Sequence, residues 1–259
     1  MSNGRSRRET RGPIEIVKNS WRGRLARPLE CVPVTTGAMD DRTTTHIVWD
    51  WNGTLLADNH AVLEGVNAIC RFYQREEVDL DYWRSVFTRP LQVCYERLLE
   101  RQLTDEDWTQ VDKLYHEAYN QLLHTCGLAR GAEQVLADWQ GAGNSQSLLS
   151  MWFHDPLTEL IGRLGVADFF SRVDGLVGPM SGGSKAEHLA RHLSVAGLDP
   201  ATVVLVGDVV DDAHAAESVG ARCVLVTTGM TARSTLEATG HPVADSLADA
   251  VTLAVKTRV

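Results

Sequence analysis

Two short apolar runs, each ended by an acidic residue, constrain the fold of this chain more than any other feature. His46–Trp49 leads directly into Asp50, and Val203–Val206 leads through a glycine into Asp208. A short apolar run that stops at a polar turn is typical of a strand buried on both faces of a parallel sheet. Open α/β sheets bind their ligands at the carboxyl ends of such strands. We therefore expect Asp50 and Asp208 to lie at one edge of a sheet.

The sequence beyond Gly127 alternates between strand-like and helix-like segments. Gly220 is a good residue to end one of the helices, and Ser184 is a good N-cap for another. This alternation predicts an α/β fold, with right-handed βαβ units forming a Rossmann-like parallel sheet with helices on both faces. The predicted strands are Gln146–Ser150, Val173–Val177, Val203–Val206 and Cys223–Val226, and the predicted helices are Ala132–Trp139, Leu157–Leu164, Ser184–Leu193 and Ala213–Val219.

Residues 59–126 have a different pattern, with apolar residues at helical spacing throughout. Gly65 is the single glycine of this segment and Pro90 the single proline. We predict a small all-helical domain of about four helices. It would interrupt a core domain formed by residues 45–58 and 127–259.

The first 44 residues differ from the rest in charge. Residues 1–42 carry nine Lys or Arg and five Asp or Glu, whereas the remainder carries 16 basic and 29 acidic side chains. We interpret residues 1–44 as a basic, disordered leader. A tail that binds an anionic partner and a translation start at Met39 are the alternatives.

The bulk composition narrows the class of protein. The acidic body lacks the clustered Lys and Arg that nucleic-acid binding requires. No apolar run approaches the ~18 residues needed to cross a membrane, and no secretory signal pattern is present. The five cysteines include no Cys-x-x-Cys pair, which favours reduced thiols and a cytoplasmic location. The sequence does not predict an oligomeric state.

The strand-end residues have the chemistry that phosphoryl transfer requires. A carboxylate such as Asp50 can act as nucleophile and form an acyl phosphate that water then hydrolyses. Because the carboxylate and the phosphate are both anionic, a divalent cation is needed between them. Asp50 and Asp208 would provide a partial oxygen cage suited to Mg²⁺, with Asp212 holding a metal-bound water.

Three further polar residues fit the same reaction. Lys185 would neutralise the remaining negative charge, and Thr54 and Ser150 would donate hydrogen bonds to the phosphoryl oxygens. We therefore assign phosphate binding to Thr54, Ser150 and Lys185. Asp211, between Asp208 and Asp212, could support the site or simply be solvated.

The order of these motifs resembles that of the haloacid-dehalogenase (HAD) superfamily. The motifs are Asp-x-Asn-Gly-Thr from Asp50, the strand-end Ser150, Lys185, and Gly-Asp-x-x-x-Asp from Gly207, and the resemblance covers residues 45–250. The helical insert resembles the C1-type cap of the phosphoglycolate-phosphatase-like branch. The resemblance implies a magnesium-dependent phosphatase acting on a small phosphorylated metabolite. It makes Asp50 the nucleophile and a metal ligand, adds the backbone carbonyl of Asn52 and Asp208 as ligands, and has the cap close over the substrate.

One position departs from the family pattern. Phosphatases of this family usually have Asp two residues after the nucleophile as general acid and base, and here Asn52 occupies that position. An amide cannot exchange protons at neutral pH, and such catalysis is typically worth ~10²–10⁴ in rate. Three consequences remain open: substrates with good leaving groups, proton transfer by another group such as His154, or a catalytically impaired phosphate-binding protein.

Other members of the superfamily provide further alternatives. A haloacid or phosphonate hydrolase is possible in principle. The acidic residues after Gly207 argue against a metal-free dehalogenase, and Lys113 is the single lysine of the insert that a phosphonate-cleaving enzyme could use.

A few residues near the motifs are candidates for substrate contacts. Arg89 lies in the Thr88–Pro90 break of the insert, and Trp51, Trp152 and His154 flank the proposed site. Trp83, Trp108 and Trp139 lie at helical spacing and are predicted to be packing residues.

Overall fold

The computed structural model describes residues 45–177 and 184–256. The predicted leader, residues 1–44, therefore lies outside the described residues, as do residues 178–183 and 257–259. The described strands are β1 His46–Trp49, β2 Leu56–Ala57, β3 Gly127–Leu128, β4 Gln146–Phe153, β5 Val173–Leu176, β6 Val203–Gly207, β7 Arg222–Val226 and β8 Val243–Ala244. The described helices are α1 Asn59–Phe72, α2 Leu80–Val86, α3 Leu91–Leu99, α4 Asp105–Leu122, α5 Ala132–Gly141, α6 His154–Arg163, α7 Lys185–Ala196, α8 Val210–Val219, α9 Arg233–Glu237 and α10 Leu247–Lys256.

Six strands form one sheet in the order β5-β4-β1-β6-β7-β8, and every pairing in it is parallel. β1 lies between β4 and β6, with Trp49 beside Leu148 on one side and Val206 on the other. The predicted α/β class with a Rossmann-like parallel sheet is confirmed. Three elements that were not predicted follow β7: the edge strand β8 and the helices α9 and α10.

Both faces of the sheet are covered, because neighbouring residues along each strand point to opposite sides. Ile47 and Trp49 pack on one face against α5, α6 and α10, while Val48 packs on the other face against α7 and α8. The predicted helices on both faces are confirmed. A strand buried on both sides needs apolar residues at consecutive positions, which explains the apolar runs in the sequence.

The helical insert is joined to the sheet domain by a short antiparallel pair. β2 leads out of the core and β3 leads back, with Leu56 beside Leu128 and Ala57 beside Gly127. Helices α1 to α4 lie between these two strands and have a hydrophobic core of their own, which includes Val66, Trp83 and Leu98. Within the described part of the chain, no helix is long and apolar enough to cross a membrane.

A glycine lets two helices of the insert approach closely. An ideal Cβ on Gly65 of α1 would lie 2.6 Å from Cδ2 of Tyr115 on α4. Alanine in place of a helical glycine normally stabilises a protein by roughly 0.5–1 kcal/mol. We expect the opposite for Gly65→Ala, a loss of about 1–3 kcal/mol in the free energy of unfolding, because the methyl group overpacks the contact.

Urea unfolding followed by tryptophan fluorescence measures this effect. Gly162→Ala in α6 is the matched control, because no atom lies within 4 Å of its ideal Cβ. We expect the control to stabilise the protein. Equal effects of the two substitutions would contradict the packing argument.

A chain of hydrogen bonds runs from Asp174 in β5 through α7 and β4 to His46 in β1. Asp174 Oδ2 contacts His192 Nδ1 at 2.7 Å, and His192 Nε2 contacts Ser147 Oγ at 2.7 Å. Ser147 Oγ also contacts His46 Nε2 at 2.8 Å, and His46 Nδ1 reaches Ser145 Oγ at 2.7 Å. The Asp–His–Ser order is that of a hydrolytic triad, but Ser147 is fully buried as the second residue of β4. No substrate can reach its hydroxyl, so we assign this chain of hydrogen bonds a structural role.

His46 makes the stability of the protein sensitive to acid. Burial, followed by the nearby His192, lowers the pKa of His46 from 6.5 to about 4. Since the folded state binds the proton more weakly than the unfolded state, the stabilisation is complete above pH 6.5 and is lost as the pH falls towards 4. We expect this group to contribute a loss of about 2–3 kcal/mol over that window.

His46→Gln removes the titration but keeps groups able to hydrogen-bond to both serines. The difference between the urea midpoints at pH 7 and pH 4.5 should therefore be smaller in the variant than in the wild type. An identical pH dependence in both proteins would rule out His46 as the source.

Candidate active site

Three aspartates meet at the carboxyl edge of the sheet, as the strand pattern predicts. Asp50 follows β1 and Asp208 follows β6, which is hydrogen-bonded to β1. Asp212 lies in the first turn of α8 and accepts from the backbone N–H of Val209 at 3.0 Å. One carboxylate oxygen from each aspartate lies within 4.8 Å of the other two, and all three residues are buried.

Lys185 joins two of these carboxylates. It is the first residue of α7, whose N-cap, Ser184, forms a capping box with Glu187. The Lys185 ammonium donates to Oδ1 of Asp50 at 2.5 Å and contacts Oδ1 of Asp212. Burial by itself would lower the pKa of Lys185, but the two carboxylates outweigh it and raise that pKa above its usual value. The ammonium therefore stays charged at neutral pH.

Three carboxyl groups of the site face one ammonium, and ionising all three would leave the site with an excess of negative charge. Burial raises the pKa of Asp50 to about 6, partly opposed by Lys185, and burial together with Asp50 and Asp212 raises the pKa of Asp208 well above its usual value. Three carboxylates around one ammonium thus call for a further cation. Carboxylate oxygens are the donors that small divalent cations prefer, so the residues present fit a metal ion.

The Thr54 hydroxyl lies near these carboxylates, and the Ser150 hydroxyl lies on the neighbouring strand β4. Thr54 Oγ1 is 3.4 Å from Oδ2 of Asp50 and 3.4 Å from Oδ1 of Asp208. Ser150, within β4, accepts from the backbone N–H of Trp152 at 3.0 Å. The structure therefore brings together Asp50, Thr54, Ser150, Lys185, Asp208 and Asp212, the residues predicted for nucleophile, phosphate and metal binding.

The loop after β7 supports Asp208, and the sequence analysis did not identify it. The backbone N–H of Met230 donates to Oδ2 of Asp208 at 3.0 Å. An ideal Cβ on Gly229 would lie 1.7 Å from the same oxygen, so only glycine permits this approach. Gly229, which follows the apolar run Cys223–Val226, was the one feature of the sequence that could have indicated this loop.

Asn52 is held by two residues that the sequence analysis also missed. Its Nδ2 donates to Oδ2 of Asp58 at 2.9 Å and to the hydroxyl of Tyr119 at 3.0 Å. The Tyr119 hydroxyl in turn donates to Oδ2 of Asp58 at 2.8 Å, and the backbone N–H of Gly53 donates to Oδ1 at 2.9 Å. These contacts use both amide hydrogens of Asn52 and turn its Oδ1 towards Ser150, at 3.5 Å.

The two partners of Asn52 are themselves hydrogen-bonded to each other and are both shifted in pKa by burial. Burial raises the pKa of Asp58, while hydrogen bonds from Asn52, Tyr119 and Gly53 favour its ionised form. Burial and the neighbouring Asp58 raise the pKa of the Tyr119 hydroxyl, which makes it a weaker acid than an ordinary phenol. Asn52 therefore presents a fixed carbonyl oxygen to the site and donates nothing to it.

A cavity of about 730 Å³ extends from these residues into the helical insert. Arg89 and Trp152 line it, as predicted for substrate contacts, and Arg89 pairs with Asp211 at 3.2 Å. The predictions for Trp51 and His154 need correction. Trp51 is fully buried in the core of the sheet domain. His154 begins α6, outside the cavity lining, and its Nδ1 accepts from the backbone N–H of Gly175 at 3.2 Å.

The prediction of packing tryptophans holds for Trp139, which is buried beside α5's other apolar residues in the sheet core. It is incomplete for Trp83 and Trp108. Both belong to the core of the insert, and both also line the cavity.

Comparison with known proteins agrees with this fold. Residues 182–250 match the family model described as HAD-hydrolase-like. The predicted resemblance to haloacid-dehalogenase-like proteins is confirmed over these residues. A search of curated protein sequences finds no match.

Solved structures share the fold across most of the chain. A predicted phosphatase from Clostridium acetobutylicum superposes with a TM-score of 0.70 at 14% identity, over 82% of this chain and 99% of the other. A haloacid-dehalogenase-like hydrolase from Streptococcus pneumoniae gives 0.69 at 16% identity, over 81% and 98%. A predicted phosphoglycolate phosphatase from Haemophilus somnus gives 0.66 at 18% identity, over 82% and 98%.

Proposed function

We propose that this chain is a magnesium-dependent, phosphatase-type hydrolase that acts on a small phosphorylated substrate through an aspartyl-phosphate on Asp50. The observation that carries the proposal is the contact between the Lys185 ammonium and Asp50, beside Asp208 at the end of the neighbouring strand. Similar structures described as phosphatases support it.

Asp50, Asp208 and the backbone carbonyl of Asn52 would hold the magnesium ion, with Asp212 beside it. The bound ion would offset the repulsion between the Asp50 carboxylate and the anionic phosphoryl group.

The chain's own residues account for the two displacement steps. In the first, an Asp50 oxygen bonds to phosphorus while the ester P–O bond breaks and its electron pair leaves with the alcohol or acyl oxygen. In the second, water attacks phosphorus, the aspartyl P–O bond breaks, and phosphate leaves with Asp50 regenerated. The buried Lys185 ammonium stabilises the charge on the phosphoryl oxygens, while Thr54 and Ser150 donate hydrogen bonds to them.

Residues 59–126 would act as a C1-type cap over this site. The cavity is lined by both the sheet domain and the insert, so a bound substrate would be largely shielded from water. A cytoplasmic location remains a prediction from the unpaired cysteines; the four that the structure describes are buried free thiols.

The geometry of Asn52 supports a second candidate, a phosphate-binding protein with impaired catalysis. An amide cannot protonate a leaving group at neutral pH, and because both amide hydrogens of Asn52 are engaged, they cannot donate hydrogen bonds to it either. Binding of vanadate or phosphate without turnover of any ester or acyl phosphate would favour this candidate over the hydrolase.

Phosphate release over a panel of phosphomonoesters and acyl phosphates tests the proposal. We expect turnover with Mg²⁺, loss of at least about 10²-fold in excess EDTA because the site then lacks its cation, and recovery when Mg²⁺ is restored. Release that is indifferent to EDTA would contradict the metal-dependent mechanism.

A further inference from the structure

The part of the cavity formed by the insert is walled by aromatic rings. The chain has seven tryptophans, five tyrosines and five phenylalanines. Seven of these side chains line this one cavity, six of them from the insert and Trp152 from the sheet domain. The six are Trp83, Phe87, Tyr95, Trp108, Tyr115 and Tyr119.

These rings support one another. Trp83 lies 5.5 Å from Tyr95 and 6.0 Å from Phe87, measured between ring centroids, and Tyr95 lies 6.0 Å from Trp108. Tyr115 stacks on Tyr119 at 5.8 Å, with 17° between the ring planes. A wall held in place by such contacts loses little side-chain entropy when a ligand binds, which favours recognition of a flat apolar group.

The charged residues of the cavity also favour an apolar group over a second anionic group. Among the described residues that line it, the lysine and arginine side chains are Lys185 and Arg89. Lys185 is paired with Asp50 and Asp212, and Arg89 with Asp211. The nearby His116 contacts Asp112 at 3.3 Å. Both the lysine and the arginine of the described lining are thus engaged by carboxylates, which leaves them less able to bind a second anionic group and disfavours bisphosphates.

We propose that the substrate is a monophosphate whose leaving group carries an aromatic or conjugated planar ring, bound against Phe87 and Trp108, with the buried Trp83 packed behind Phe87. This inference rests on the proposed function and adds the class of substrate to it. A cavity of about 730 Å³ has room for a phosphoryl group and a ring system.

The same class of substrate suits the chemistry of Asn52. A phenol-type leaving group, with a pKa near 10, departs as its anion far more readily than an aliphatic alkoxide. It therefore needs no proton from the position that Asn52 occupies. A ring joined directly to the ester oxygen provides both the flat group that the cavity can bind and a leaving group that needs no proton.

Two phosphate esters distinguish recognition of the ring by the cavity from the effect of the leaving group on the rate. Benzyl phosphate and cyclohexylmethyl phosphate both leave through a CH₂–O oxygen and are similar in size, but only the first has a flat ring. We expect kcat/KM to be at least about 10-fold higher for benzyl phosphate, since aromatic contacts contribute about 0.5–1.5 kcal/mol each beyond burial. Phenyl phosphate should be faster still.

Variants locate the effect in the cavity. Trp108→Leu and Phe87→Leu, each half-buried at the cavity wall, should reduce the benzyl preference to below about threefold. Phe72→Leu is the matched control, because Phe72 belongs to the same insert but is 54% exposed and outside the cavity lining. A preference unchanged in Trp108→Leu and Phe87→Leu would overturn the assignment of the rings.

Calorimetry with benzylphosphonate and cyclohexylmethylphosphonate, in the presence of Mg²⁺, tests the cavity without catalysis. Tighter binding of benzylphosphonate by about 10-fold, with no turnover of any phosphate, would uphold the ring site and reject the proposed hydrolase activity. Equal affinities, or equal kcat/KM values in an active enzyme, would reject the ring site and leave the phosphatase standing.

Discussion

Asp50→Asn is expected to lower the rate of phosphate release by about 10³-fold or more, as expected for loss of a nucleophile. The amide oxygen can still accept from Lys185, so the fold should persist, but it cannot form a stable bond to phosphorus. Single-turnover and steady-state release, together with circular dichroism of the variant, measure the two effects separately.

A nearby carboxylate provides the control for this substitution. Asp155→Asn removes an exposed carboxylate in the first turn of α6, away from the cavity lining, and should keep the wild-type rate. Mass spectrometry of acid-quenched wild type should find a phosphoryl adduct on the peptide that contains Asp50. An Asp50→Asn protein that retains activity would refute the aspartyl-phosphate mechanism.

The second large effect concerns Asn52, and it depends on Asp58. In Asn52→Asp, a carboxylate oxygen would replace Nδ2, which lies 2.9 Å from Oδ2 of the buried Asp58. Two carboxylates at this distance, one of them buried, cannot both ionise readily, so they would share a proton. We expect the single substitution to destabilise the fold and to give little of the rate that a free general acid provides.

A double substitution removes this conflict. Asn52→Asp combined with Asp58→Asn keeps the net charge and reverses the hydrogen bond between the two side chains. The amide introduced at position 58 donates to the carboxylate introduced at position 52, and its oxygen still accepts from the backbone N–H of Gly53. The new carboxyl group is then free to act as general acid.

We expect the double variant to hydrolyse alkyl phosphates about 10²–10⁴-fold faster than the wild type, with a smaller gain for aryl phosphates. Rates for benzyl and phenyl phosphate, measured across pH 5–9, compare the wild type, both single variants and the double variant. Asp58→Asn alone serves as control, since it adds no acid. If the double variant gained nothing on alkyl phosphates, Asn52 would not limit the reaction.

The central strands and their polar ends were predictable because their signal is local. β1 and β6 are apolar at consecutive positions since both faces of the sheet are covered, and each ends at an aspartate. β2, β3 and β8 were not predicted; each has two residues, too few to carry a period. Trp51 and His154 were misassigned, because closeness in sequence to a motif does not decide which way a side chain points.

What the sequence determined by itself is the parallel sheet, its helices and the order of the acidic, hydroxyl and lysine residues at its edge. These follow from hydrophobic periodicity and from the rule that parallel strands end at one edge. Only the tertiary structure decided the state of Asn52 and the aromatic wall. Tyr119 reaches Asn52 and Asp58 from the far end of α4, which packs closely on α1 at Gly65. The physical reason is that hydrogen bonds between residues some 60 positions apart, and ring contacts between neighbouring helices, depend on how helices pack, and no local pattern in the chain records that packing.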